Sequence, residues 1–132
     1  LTAALQRLRE PQAELLPARS REESFALLRR AVEQVYPRVA PLGVAMPVLK
    51  LRTMKTQWGN CHWTQGYITL NTALVRCPEP LREYVALHEL VHFLHPDHGP
   101  GFHGTMDRLM PDWRTRRCEL RRYQDAISQE NK

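Results

Sequence analysis

The segment from Leu81 to Leu94 places apolar residues on almost every side of a helix: Leu81, Tyr84, Val85, Leu87, Leu90, Val91 and Leu94. A helix of that kind packs inside a fold rather than on its surface. Yet it also carries His88, Glu89 and His92, and burying two imidazoles with a carboxylate is costly unless those groups bind something. His88 and His92 lie one turn apart on the same face, where two imidazoles can grip one metal ion. Zinc in a catalytic site typically takes three protein ligands and keeps a fourth position for water. A carboxylate one residue after the first histidine can draw a proton from that water. The chain must therefore fold around this helix and bring one more ligand to it.

The third ligand is to be found among His95, His98 and His103. On a continuing helix His95 would share the face of the other two, but about two turns above His88, too far along the axis to close on the same ion. Pro96 pushes the residue before it out of the helical region, so the helix is expected to end near Leu94. The chain then turns back through Asp97-His98-Gly99-Pro100-Gly101, and that turn can deliver His98. Five of the six histidines fall between positions 88 and 103, a concentration that favours one shared site over scattered structural imidazoles.

The 132 residues are one domain's worth, enough for a core without disulfides. We read residues 1–47 as an N-terminal helical part, 48–76 as a sheet and 77–132 as the metal helix with C-terminal helices. Leu1, Leu5 and Leu8 predict a helix over Leu1–Arg9, interrupted at Pro11 and Pro17. Ser20 with Glu23 is a capping box, and Phe25, Leu28, Val32, Val35 and Tyr36 follow at helical spacing, so a helix is expected from Arg21 to about Tyr36, stopped before Pro37. Prolines and Gly43 make the next stretch a connection, with a short extended piece around Val44. Val48–Met54, Trp58–Thr64 and Tyr67–Leu70 predict three short, mostly antiparallel strands, the last two joined by a turn at Gln65-Gly66. One helical turn is expected between Asn71 and Cys77. Pro78 or Pro80 opens the metal helix. Phe102–Met110 reads as a further helix whose Met106 and Met110 belong to the core. A last helix from Pro111 and Asp112 sets Trp113, Leu120, Tyr123 and Ile127 on its apolar side.

Cys61, Cys77 and Cys118 are three cysteines without a C-x-x-C pair, so neither a disulfide framework nor a cysteine metal site is indicated, and a reducing cytoplasm fits best. No apolar run approaches the roughly 20 residues that span a bilayer. Net charge is +5, from 19 Lys+Arg against 14 Asp+Glu, which suggests an anionic partner. Arg114, Arg116, Arg117, Arg121 and Arg122 crowd one C-terminal helix and offer a phosphate-contacting stripe, which the resemblance described next links to DNA, although a solvated helix paired with Glu119 and Asp125 is the commoner outcome.

Gln57-Trp58-Gly59-Asn60-Cys61, Tyr67-Ile68-Thr69-Leu70-Asn71, His88-Glu89-Leu90-Val91-His92 and Asp97-His98-Gly99-Pro100-Gly101-Phe102 together resemble the YgjP-like metallopeptidase domain, related to the SprT and Spartan proteases. The order and spacing match over roughly Val48 to Leu120. The chain departs from the family's common pattern at Asn60, where serine is usual, and at His103, often an aromatic. The resemblance implies an α+β zincin-like fold, with the small sheet packed on the metal-binding helix. It also implies one Zn2+ held by His88, His92 and His98, Glu89 as the catalytic acid/base, and a protein or peptide substrate. The interval from His92 to His98 equals that of the metzincin pattern H-E-x-x-H-x-x-G-x-x-H, but His95 stands at its glycine, so a metzincin is not expected.

An oxyanion donor is also required, with Tyr67, Asn71, His95 and His103 as candidates. Trp58, Tyr67, Asn71 and His103 are the candidate substrate contacts, and Asp97 is a candidate partner to orient an imidazole. An exposed sheet edge would hold a substrate chain extended over the ion. The competing reading is a nucleic-acid-associated zinc-binding module with weak or no peptidase activity. Glu89 discriminates between the two, because a purely structural site has no use for a carboxylate there.

Overall fold

The computed structural model describes residues 13–130, so the helix expected over Leu1–Arg9 lies outside the described residues. Helix α1 covers Arg21–Val39. It opens where Ser20, in extended conformation, accepts a hydrogen bond from the Glu23 backbone N–H at 3.1 Å, satisfying one of the orphan donors of the first turn. Leu28, Val32, Val35 and Val39 point into the core. Two expectations change here. The helix runs past Pro37, which costs a single backbone bond near its end, because the extra turn buries Val39 completely. Phe25 is 42% exposed, and the small Ser24 takes the inward position at that level.

Beyond a 3-10 turn at Ala40–Leu42, Gly43 adopts φ 96°, a left-handed conformation that glycine accepts without a Cβ penalty. Val44 is buried but is not part of a strand; its carbonyl accepts a 2.6 Å hydrogen bond from the Tyr36 hydroxyl.

The sheet has β1 (Val48–Arg52), β2 (Gly59–His62) and β3 (Tyr67–Asn71) in the order β1-β3-β2. β2 and β3 form the expected antiparallel hairpin, turning at Gly66 with φ 77°. β1 pairs parallel to β3, Val48 opposite Tyr67 and Arg52 opposite Asn71, so the sheet is mixed. The chain leaves β1, arches over the C-terminal end of β3 through residues 53–58, and enters β2 on the far side. A parallel pair needs a connection of roughly a dozen residues or more, and the stretch from β1 through β2 to β3 supplies it.

Asn71 ties that arch down. Its side-chain N–H groups donate to the carbonyls of Met54 and Gln57, each at 2.8 Å, while its Oδ1 accepts from the Ala73 N–H at 3.0 Å. Asn71→Ala is therefore expected to cost about 1–3 kcal/mol in denaturant unfolding, the usual effect of leaving buried polar groups unpaired. Asn71→Asp, which keeps the acceptor and loses the donors, should fare no better. Full stability in the Asp variant would show that the two carbonyl contacts contribute nothing.

One sheet face, with Leu49, Ile68 and Leu70, packs into the core. On the other, Tyr67 stacks on His62 at 4.2 Å with Lys50 Nζ 3.9 Å from its ring. A 3-10 segment at Thr72–Arg76 leads to helix α2, Glu79–Val91, which begins at Pro78 and Pro80. α2 is the centre of the fold: it packs against α1, the sheet and the C-terminal helix. Its α-helical bonding ends at Val91, and His92, Phe93 and Leu94 continue with tighter i to i−3 bonds. α3 spans Pro100–Leu109 and α4 spans Trp113–Glu130. The far end of α4 is held to the 3-10 segment by a double contact of 2.8 and 2.9 Å between the Arg76 guanidinium and Glu130. Among the described residues no helix is long and apolar enough to cross a membrane, and all three cysteines are free.

Candidate metal centre and cleft

His88 and His92 come from one face of α2 and its tightened last turn, with ring centroids 4.9 Å apart. His98 arrives from the loop that follows. Asp97 Oδ1 accepts a hydrogen bond from the Gly99 N–H at 3.2 Å, an Asx-type turn that folds the loop back so that the His98 ring lies 5.0 Å from His88 and 4.6 Å from His92. One ring nitrogen from each of the three lies within 4.8 Å of the others. Asp97 thus acts on His98 through the backbone turn.

The ring nitrogens are already sorted. His92 Nδ1 is 3.0 Å from the His95 carbonyl, an oxygen that can only accept, so Nδ1 carries the proton and Nε2 keeps its lone pair. His88 Nδ1 lies 3.2 Å from Glu89 Oε2, which fixes the same tautomer. Burial holds the His92 imidazole below its ordinary pKa, with the hydrogen bond to His95 pulling the other way. Partial burial, then the neighbouring His88 and His92, lowers His98 as well. These two rings are thereby favoured in the neutral form that can donate a lone pair.

Phe102, completely buried on α3, is the floor of the site. Its ring centroid is 4.9, 4.7 and 5.0 Å from those of His88, His92 and His98. Gly59, where β2 begins, lets the sheet press against Glu89: a Cβ there would stand 2.9 Å from the Thr69 carbonyl oxygen and 3.2 Å from Glu89 Cγ. Glu89 is 4% exposed and borders a cleft of about 340 Å³ whose lining includes Trp58, Gly59, Tyr84, His88, Glu89 and His98 on one side and Arg117, Leu120 and Arg121 of α4 on the other.

The candidates named from sequence divide cleanly. Trp58 lines the cleft. Tyr67 does not, because it lies on the sheet face turned away from α2, and Asn71 is used up in holding the 53–58 arch. His95 has its Nε2 3.1 Å from the Thr105 hydroxyl, and a Cβ on Gly101 would collide with its ring at 2.8 Å, so it clamps α3 to the loop. His103 stacks on Trp113 at 5.6 Å. The cleft residue that sequence reasoning missed is Tyr84, one turn before His88. Burial pushes its phenol up to about 12, Arg117 pulling it down and Glu89 adding to the rise. The available signal was its i, i+4 spacing to His88. Cys61 and Cys77 are each pushed up to about 12 by burial, so neither thiol ionises near neutral pH to act as a nucleophile.

The chain matches the YgjP-like, metallopeptidase domain over residues 5–123. Two solved structures share the fold. The metallopeptidase zymogen of Pyrococcus abyssi abylysin aligns with TM-score 0.56 at 20% identity, covering 64% of this chain and 80% of that one. The zymogen of Methanocaldococcus jannaschii jannalysin aligns with TM-score 0.58 at 19% identity, covering 70% of this chain and 92% of that one. At such identities the likeness is one of fold. No curated protein matches in sequence. The family match spans nearly all of the chain: the chain belongs to the YgjP-like metallopeptidase domain family.

Proposed function

We propose that this protein is a zinc-dependent endopeptidase in which His88, His92 and His98 hold one zinc ion and Glu89 is the general base and acid. The single observation that carries this reading is the convergence of three imidazoles, two with sorted tautomers, beside a buried carboxylate at the wall of an open cleft. Three imidazole donors with no fourth protein ligand among the described residues suit a catalytic zinc rather than a closed structural one. Zinc, when bound, supplies Lewis acidity that acidifies water and polarises a carbonyl.

Glu89 takes the proton from the attacking water and passes it to the departing amine nitrogen. Gly59 holds the β2 end against this carboxylate, and the Phe102 floor fixes the imidazoles. β2 is an edge strand beginning beside Glu89, so its unpaired side can receive an extended substrate by strand addition. Tyr84, which borders the cleft and whose hydroxyl has no hydrogen-bond partner among the described residues, is the donor we assign to a substrate oxygen. It replaces Tyr67, Asn71, His95 and His103 in that role.

Metal analysis paired with a casein-cleavage assay tests the reading. One zinc per chain is expected, with cleavage abolished by a chelator, restored by zinc, and both zinc and activity lost in His98→Ala. Cleavage that survives complete metal removal would refute it.

A further inference from the structure

The five arginines of α4 do not act alike. Arg114 pairs with Asp107 at 2.6 Å, Arg116 with Asp112 at 3.1 Å and more distantly with Glu83, and Arg122 with Glu119 at 2.7 Å. Arg117 and Arg121 are left with no carboxylate in salt-bridge reach among the described residues. They stand four apart on one helix face, an arrangement in which like charges repel and weaken the helix. Both line the cleft that contains His88, Glu89 and His98, and both are exposed to it. Arg117 also leans on the Trp113 ring, its guanidinium carbon 5.1 Å from the centroid, which presents the guanidinium with less freedom to lose on binding. At about 340 Å³ the cleft admits a side chain or two; ligand pockets run from roughly 300 to 1,000 Å³.

We propose that Arg117 and Arg121 form an anion-recognition wall that binds a carboxylate of the substrate. The enzyme then cuts beside an acidic residue or close to a free C-terminus. The inference rests on the peptidase reading above and names the substrate class of that same cleft. Two guanidinium forks on α4 match a carboxylate in geometry and charge, and two fixed positive charges against the one of Glu89 bias the field in the cleft toward anions. Glu89 lies on the α2 side, so an incoming carboxylate meets the arginines first.

The test uses two matched peptide series: Glu against Gln beside the scissile bond with amidated ends, and free acid against amide at the C-terminus. Wild type should favour the carboxylate member of one series about tenfold in kcat/KM, the scale of a charge-assisted hydrogen bond, and the series that shows it identifies the carboxylate. In Arg117→Ala/Arg121→Ala the ratio should fall to about one. In Arg117→Glu/Arg121→Glu it should fall below one, with the neutral member now preferred, a result that misfolding cannot produce. No preference in either series, or a ratio that persists without the arginines, overturns the proposal. Peptide binding to the Glu89→Gln protein, followed by tryptophan fluorescence, separates the two readings. Charge-selective binding with no cleavage by wild type leaves the wall standing and the peptidase reading fallen. Cleavage indifferent to charge does the reverse.

Discussion

Glu89→Gln is expected to keep its zinc and lose hydrolysis, with kcat/KM falling by about 10²–10⁴-fold, the range that a positioned general base contributes. The substitution is isosteric, so the close approach of Gly59 is undisturbed. The amide oxygen can still accept from His88 Nδ1, now 3.2 Å from Glu89 Oε2, which preserves the tautomer that leaves Nε2 free. What the amide cannot do is accept a proton from water. Because the side chain is 4% exposed, exchanging a buried carboxylate for a neutral amide should leave the melting temperature unchanged or raise it. Glu89→Asp, whose carboxylate is withdrawn by one methylene, should fall between the two. Metal content, melting temperature and peptide cleavage measured on the same preparations check the prediction, and near-wild-type activity in the Gln variant would remove Glu89 from the mechanism.

The parts of this site that were legible from sequence are those encoded within a few residues. His88 and His92 are set by helical pitch, and Pro96 with Gly99 punctuates the chain so that His98 must turn back; the structure puts all three rings together. The β2–β3 hairpin was written in Gln65-Gly66. The direction of β1 was not, because an alternating strand reads the same for a parallel or an antiparallel neighbour, and only the arch over β3 decides. Tyr67 is a different case. Ile68 and Leu70 are both completely buried, and the period of two sends Tyr67 to the opposite face, so its absence from the site was readable and was overridden by its chemistry. Pro37 and Phe25 went the other way, local rules yielding to burial of Val39 and Ser24. The cleft could not be foreseen at all, since its second wall is α4, brought to α2 by long-range packing. The arginines, by contrast, are divided mainly by near neighbours in sequence: Asp107, Asp112 and Glu119 pair with three of them, and two are left at the cleft.

Phe102→Ala should destabilise the fold by about 3–5 kcal/mol, the cost of emptying a buried aromatic site, and lower the melting temperature by on the order of 15 °C for a chain of this length. The larger lesson lies in the comparison with Phe102→Leu. Leucine keeps much of the volume and the apolar character, so its stability cost should stay near 1–2 kcal/mol. It cannot, however, offer the flat face and edges that now meet His88, His92 and His98 at 4.7 to 5.0 Å. His92 has a second restraint in the His95 carbonyl, and His88 is held by the helix. His98 hangs on a loop secured by one Asx turn, so it is the ring that loses its place. Zinc affinity in Phe102→Leu should therefore drop by about 10–100-fold, the usual penalty for removing a group that orients a metal ligand, while the protein remains folded at room temperature. Competition with a chromophoric chelator gives the affinity and thermal unfolding gives the stability. If the leucine variant holds zinc as tightly as wild type, the aromatic ring merely fills space, and the loop alone suffices to present His98.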